Sequence, residues 1–119
     1  MKISTKLLME PRIRLTRGRR FAFGPGQATL LGKIQETGSI AEAAKGMGMS
    51  YMRAWLLVKT MNRGFVEPLV ETARGGRRRG GAKLTATGIL VLRHYRAMEA
   101  NSRRASRAIQ GKFARLLRG

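Results

Sequence analysis

The sequence predicts a mainly α fold with small β elements, and three observations carry that expectation. Two helical segments begin at their own N-cap serines, Ser39 and Ser50, and are joined by a turn of about three residues centred on Gly48. A stretch of glycine and arginine alone, Arg74 to Gly81, lies between two strand-like runs. An apolar repeat at helical spacing then continues almost to Gly119. Together they describe a winged helix-turn-helix with an N-terminal β-hairpin and a long C-terminal helix.

Each element has a local reason. From Arg12 to Phe23, Ile13 and Leu15 alternate with arginines, and Phe21 and Phe23 alternate in a second arm. Arg17 and Gly18 are expected at the turn of this hairpin. Gly24-Pro25-Gly26 breaks the chain. A helix from about Gly26 to Thr37 follows, with Leu30, Leu31 and Ile34 as its apolar stripe and Gly38 as its stop. Ser39 with Glu42 three residues on makes a capping box. Ile40, Ala43, Ala44 and Met47 give the next helix one buried face, and its alanines allow another helix close approach. Ser50 caps a third helix, expected to run to Asn62. Ala54, Leu57, Val58 and Met61 form its inner face; Tyr51, Arg53 and Lys59 lie opposite. Trp55 is expected to pack beside the core.

Leu69–Thr72 and Ala82–Leu84 read as two strands around the glycine–arginine stretch, which makes that stretch a wing. Its glycines let the backbone approach a phosphate chain without a Cβ, and Arg74, Arg77, Arg78 and Arg79 supply counter-charge. The alternative is a disordered solvated loop, and both readings hold if DNA orders it. Thr85 or Thr87 caps the last helix, whose apolar side holds Val91, Leu92, Tyr95 and Met98. The pattern continues through Ala105, Ile109, Phe113, Leu116 and Leu117, and Gly111 is a place for a bend. This basic extension either meets the same helix of a second subunit or packs back on its own domain. Three segments are expected: 1–24 as the hairpin segment, 25–99 as the DNA-binding domain, and 100–119 as a helical extension suited to dimerisation.

Composition narrows the function. The chain of 119 residues is one small domain by length and has a formal net charge of +19, from 25 Lys plus Arg against 6 acids, all glutamate. Such a charge seeks a polyanion, either nucleic acid or an anionic membrane surface. There is no cysteine and hence neither disulfide nor thiolate site. No apolar run approaches the roughly 18 residues of a membrane span. A lone His94, scattered glutamates and no Gly-Lys-Ser/Thr after any glycine loop argue against an enzyme, a metal site or a bound cofactor. A cytoplasmic, nucleoid-associated protein is the expectation.

The runs Glu36-Thr37-Gly38-Ser39-Ile40, Ala43-Ala44, Gly48-Met49-Ser50-Tyr51, Ala54-Trp55, Met61-Asn62 and Pro68-Leu69-Val70-Glu71, with the glycine-rich wing and then Leu84-Thr85 and Gly88, resemble the N-terminal DNA-binding domain of ModE-type molybdenum-responsive transcriptional regulators. Gly-Ser-Ile with Ala-Ala is shared with the wider LysR type of helix-turn-helix. Ser-Tyr-x-x-Ala-Trp with the wing is more specific. The resemblance covers about Gly26 to Met98 and implies a homodimer on duplex DNA. It places Ser50, Tyr51 and Arg53 at the start of the recognition helix. The wing arginines match loosely, since the family's wing is richer in glycine and lysine. Nothing after Met98 resembles the family's molybdate-binding region, so no molybdate site is expected in this chain.

The candidate DNA contacts are therefore Ser39, Ser50, Tyr51, Met52, Arg53 and Lys59, with Arg74, Arg77, Arg78, Arg79 and Lys83 from the wing. Arg53 is the candidate for a bidentate guanine contact. A transcriptional regulator is the leading function. An architectural protein with little sequence preference is the alternative, and an RNA-binding role is disfavoured by only 6% aromatic residues.

Overall fold

The computed structural model describes residues 6–72 and 81–119. Arg74, Arg77, Arg78 and Arg79, the expected wing tip, lie outside the described residues. The element order is β1 (Leu15–Arg17), β2 (Phe21–Phe23), α1 (Pro25–Thr37), α2 (Ile40–Gly46), α3 (Tyr51–Gly64), β3 (Val70–Thr72), β4 (Ala82–Leu84) and α4 (Ala86–Ala114). Two antiparallel hairpins, β1-β2 and β3-β4, flank a helical core, giving the winged helix-turn-helix.

The first hairpin is shorter than its alternation suggested. Arg17 is its last paired residue, opposite Phe21, and the turn falls on Gly18 to Arg20, with Gly18 at φ 58°. Residues Arg12 to Arg14 precede the strand, because the carbonyl of Ile13 serves the core instead. It accepts a 2.6 Å hydrogen bond from the Tyr95 hydroxyl of α4. Phe23 meets Tyr95 edge-on at 5.4 Å between centroids, and Phe21 meets Phe65 in the same way at 5.5 Å. The hairpin is thus fastened to both α4 and the end of α3.

In α1 the Gln27 side chain returns to the Gly24 amide, and Gly38 closes the helix in the left-handed region at φ 70°. Leu30, Leu31 and Ile34 are fully buried. At 7 residues α2 is too short to persist alone. Burial of Ile40, Ala43 and Ala44 against α1 and α3 holds it, the isoleucine alone contributing about 2 kcal/mol. The expected capping box is half formed. Ser39 Oγ accepts from the Glu42 amide, but the Ser39 amide donates to Thr37 Oγ1 at 3.3 Å. Thr37 is nearer than Glu42 and already turned toward Ser39, so it takes the second place.

Helix α3 runs two residues past Asn62. The Asn62 side chain serves the chain beyond the helix. Its Oδ1 accepts from the Leu69 and Val70 amides, and its Nδ2 donates to the Val70 carbonyl. One half-buried amide thereby pins the root of β3 to the helix. Thr85, not Thr87, caps α4: its Oγ1 accepts from the Gly88 amide and donates to the Pro68 carbonyl at 2.6 Å.

Helix α4 is continuous for 29 residues and passes through Gly111 without interruption. Its first half buries Leu92 and Tyr95. Its second half leaves Ile109 and Phe113 more than half exposed, as are Leu116 and Leu117 in the turn after it. The segment around Leu7 runs beside it, tied by Gln110 Nε2 to the Leu7 carbonyl at 2.9 Å. Packing onto its own chain is therefore partial.

Candidate nucleic-acid interface

The two helices of the motif meet at a turn that only glycine makes cheaply. Gly48 sits at φ 67°, in the left-handed region that costs an L-residue strain. The chain then extends through Ser50, whose Oγ accepts the Arg53 amide at 3.1 Å. That bond fills one of the open amides of the first turn and leaves the hydroxyl proton free to donate. The remaining amides and the positive end of the helix dipole face outward, which suits a phosphate.

At about 100° per residue, Ala54, Leu57, Val58 and Met61 centre the inner face of α3. Met52, Leu56, Lys59 and Arg63 fall within about 30° of the opposite direction. All four are exposed, Met52 at 64% and Leu56 at 51%. Tyr51 and Arg53 flank this stripe and are also exposed. Lys59 Nζ stands 4.9 Å from the Trp55 ring centroid, so the ammonium rests on an aromatic face.

Trp55, expected beside the core, is on its outer edge. It is 37% exposed and lies on the outer flank of the helix. The small Ala54 beside it occupies the inner position, where α3 crosses its neighbours. Leu56 was not among the expected contact residues. Its position opposite Val58 and Ala54 on a helical projection was the available signal.

The wing joins the motif at its base. The Ala82 amide donates to the Gly38 carbonyl at 3.0 Å, and Gly81 bridges Ser39. Ser39, half-buried at the start of α2, is thus brought to the foot of the wing, beside β4. Lys83 is on that strand and exposed, 3.9 Å from Glu71 across the ladder. A pair so open to water holds its lysine weakly. The expected residues accordingly fall in two groups: Ser50, Tyr51, Met52, Arg53 and Lys59 on α3, and Ser39 with Lys83 at the wing root.

A second basic cluster was not anticipated. Arg17, Arg19 and Arg20 at the β1-β2 tip and Arg63 near the end of α3 line an open groove together with Phe21 and Phe65. Among the described residues, none of these four guanidinium groups is within ion-pair distance of a carboxylate. No group of acids, histidines or cysteines among the described residues is arranged to hold a metal ion. No described helix is long and apolar enough to cross a membrane.

The arrangement has counterparts in known proteins. The chain is 46% identical over 70 residues to the molybdenum transport protein ModE of Azotobacter vinelandii, covering 59% of this chain and 26% of that one. It is 45% identical over 71 residues to the transcriptional regulator ModE of Yersinia pestis, covering 60% and 27%. This winged helix-turn-helix is similar in sequence to a segment of the ModE regulators. The molybdenum-pterin-binding protein MopB of Rhodobacter capsulatus is also similar, at 43% over 77 residues, 65% of this chain and 28% of that one. The chain spans about a quarter to a third of the length of the curated relatives it matches. No family model matches it.

Solved structures share the fold of this chain. A complex of the CbnR DNA-binding domain with DNA superposes with a TM-score of 0.55 at 24% identity, over 73% of this chain and 95% of that one. The full-length LysR-type regulator LysG from Corynebacterium glutamicum gives 0.57 at 23%, over 77% and 30%.

Proposed function

We propose that this chain binds duplex DNA as a homodimer and acts as a transcriptional regulator in the cytoplasm, on the nucleoid. The observation that carries the reading is the outward face of α3, capped at Ser50, set beside a wing whose returning strand is bonded to the Gly38-Ser39 turn between α1 and α2. The relatives named as transcriptional regulators support it, as does the net charge of +19. In this reading the start of α3 enters the major groove. Ser50 and Tyr51 reach backbone or base edge, and Arg53 meets a guanine. Arg74, Arg77, Arg78 and Arg79 hold phosphates, joined by Lys59, Lys83 and the hydroxyl of Ser39. Phosphate contacts supply affinity, and base contacts supply preference. The exposed Ile109 and Phe113 of α4, with Leu116 just beyond it, are the surface for the second subunit.

Selection from random duplex DNA tests the proposal. A two-fold symmetric consensus supports it, and absence of binding to any duplex overturns it. With about 6–10 phosphate contacts, log affinity falls with log salt at a slope of about −5 to −9. The second reading, an architectural protein, is favoured by the arginines spread along the outer half of α4. Strong duplex binding with no enriched sequence would establish it.

A further inference from the structure

The outermost positions of α3 nearest its N-terminus are apolar. Met52 lies in the first turn and Leu56 in the second, and the two are neighbours at i, i+4 spacing on the line directly opposite the buried face. Polar residues ordinarily fill such positions on a helix facing water. Both large side chains there stand open to solvent over half or more of their surface. Around them the surface is cationic: Arg53 on the flank, then Lys59 and Arg63 further along the same stripe, none of them within ion-pair distance of a carboxylate among the described residues. An apolar patch rimmed by cations and set behind a capped helix N-terminus fits an anionic partner that carries apolar groups at the same depth.

The major groove of DNA is such a partner. Its walls are phosphate, and the one apolar group on its floor is the thymine C5-methyl. We infer that Met52 and Leu56 read thymine, by burying C5-methyl groups of successive A·T pairs against the outward face of α3. This rests on the DNA-binding reading and deepens it, assigning sequence preference to two apolar side chains beside Arg53. Lys59 and Arg63, further along the stripe and rising out of the groove, then lie toward the phosphates of its wall.

The test removes the methyl groups and nothing else from the recognition pattern. The duplex enriched from a random pool is made once with thymine and once with uracil throughout, and both are titrated at the same salt. Burial of one methyl corresponds to about fourfold in affinity, so the uracil duplex is expected to bind at least about fourfold more weakly. The double variant Met52→Ala, Leu56→Ala is expected to bind the two duplexes alike. Both residues are exposed, and a melting temperature equal to wild type shows that the variant is folded. Equal binding of both duplexes by the wild type overturns the inference while leaving DNA binding intact. Discrimination that survives in the double variant also overturns it, since it then comes from duplex shape. A change in the mass of the free protein on substitution would assign the face to a second copy of the chain and overturn it as well. If neither duplex binds, the DNA-binding reading fails first.

Discussion

Gly88 and Leu69 are in such close approach that no side chain fits between them: a Cβ at position 88 would stand 2.1 Å from the Leu69 carbonyl oxygen. That carbonyl also accepts the Thr85 amide at 2.9 Å, so it cannot swing aside without breaking the start of α4. Gly88→Ala is therefore expected to destabilise the fold by about 3 kcal/mol. Thermal melting followed by circular dichroism checks this; a variant melting within a degree or two of wild type would contradict the close approach.

Asn62 serves the other side of the same junction. Asn62→Ala leaves the amides of Leu69 and Val70 and the Val70 carbonyl without their partner, at an expected cost of about 2–3 kcal/mol. Asn62→Asp keeps the acceptor for both amides but sets an oxygen against the Val70 carbonyl. An intermediate loss is expected, and urea denaturation of the three proteins gives the order.

Ser50 separates capping from binding. Ser50→Ala loses the bond to the Arg53 amide and is expected to cost about 1 kcal/mol of stability. Ser50→Asp restores the cap with a carboxylate, which also favours the helix dipole. On DNA that same charge opposes phosphate. Ser50→Asp is thus expected to melt like wild type yet bind duplex at least tenfold more weakly, by about 1.4 kcal/mol, in titrations at physiological salt. Unchanged affinity would remove this helix end from the interface.

Tyr95 titrates above its ordinary value of 10.0, chiefly because burial disfavours the phenolate and next because Glu99 is close; Arg96 and Arg12 oppose the shift. A hydroxyl whose folded pKa is raised stabilises the fold below pH 10 and loses that contribution as pH rises through the folded value. Tyr95→Phe gives up the bond to the Ile13 carbonyl, at about 1 kcal/mol near neutrality. The gap between the two proteins is expected to narrow above pH 10 in stability measured against pH.

The elements that a sequence reading finds are those whose causes are local. Ser39, Ser50 and Thr85 each cap a helix through an amide three residues away, and Gly38 and Gly48 carry their positive φ as a property of one residue. The contacts it misses join distant parts of the chain. Asn62 looks like a helix stop until Leu69 and Val70 are placed against it, and Gly88 looks like a weak helix position until the Leu69 carbonyl occupies its missing Cβ. Gly111 suggested a bend, but a single glycine costs a helix only about 1 kcal/mol, and Arg107, Ala108, Gln110 and Lys112 around it favour continuation. Trp55 and Leu56 both read as flanking the buried face of α3. The helical projection turns Trp55 outward, and with it exposes Leu56 as the neighbour of Met52.

The bond from the Ala82 amide to the Gly38 carbonyl has a consequence for how a duplex is engaged. It makes the returning wing strand and the turn that leads into the first helix of the motif a single lever, so that the bearing of the wing root on α3 is set before any partner arrives. A nucleic acid held by α3 thereby meets the wing as an intramolecular event, with no second loss of translational freedom. A chain in which that joint is cut should still fold and still grip, but as two loosely coupled hands instead of one.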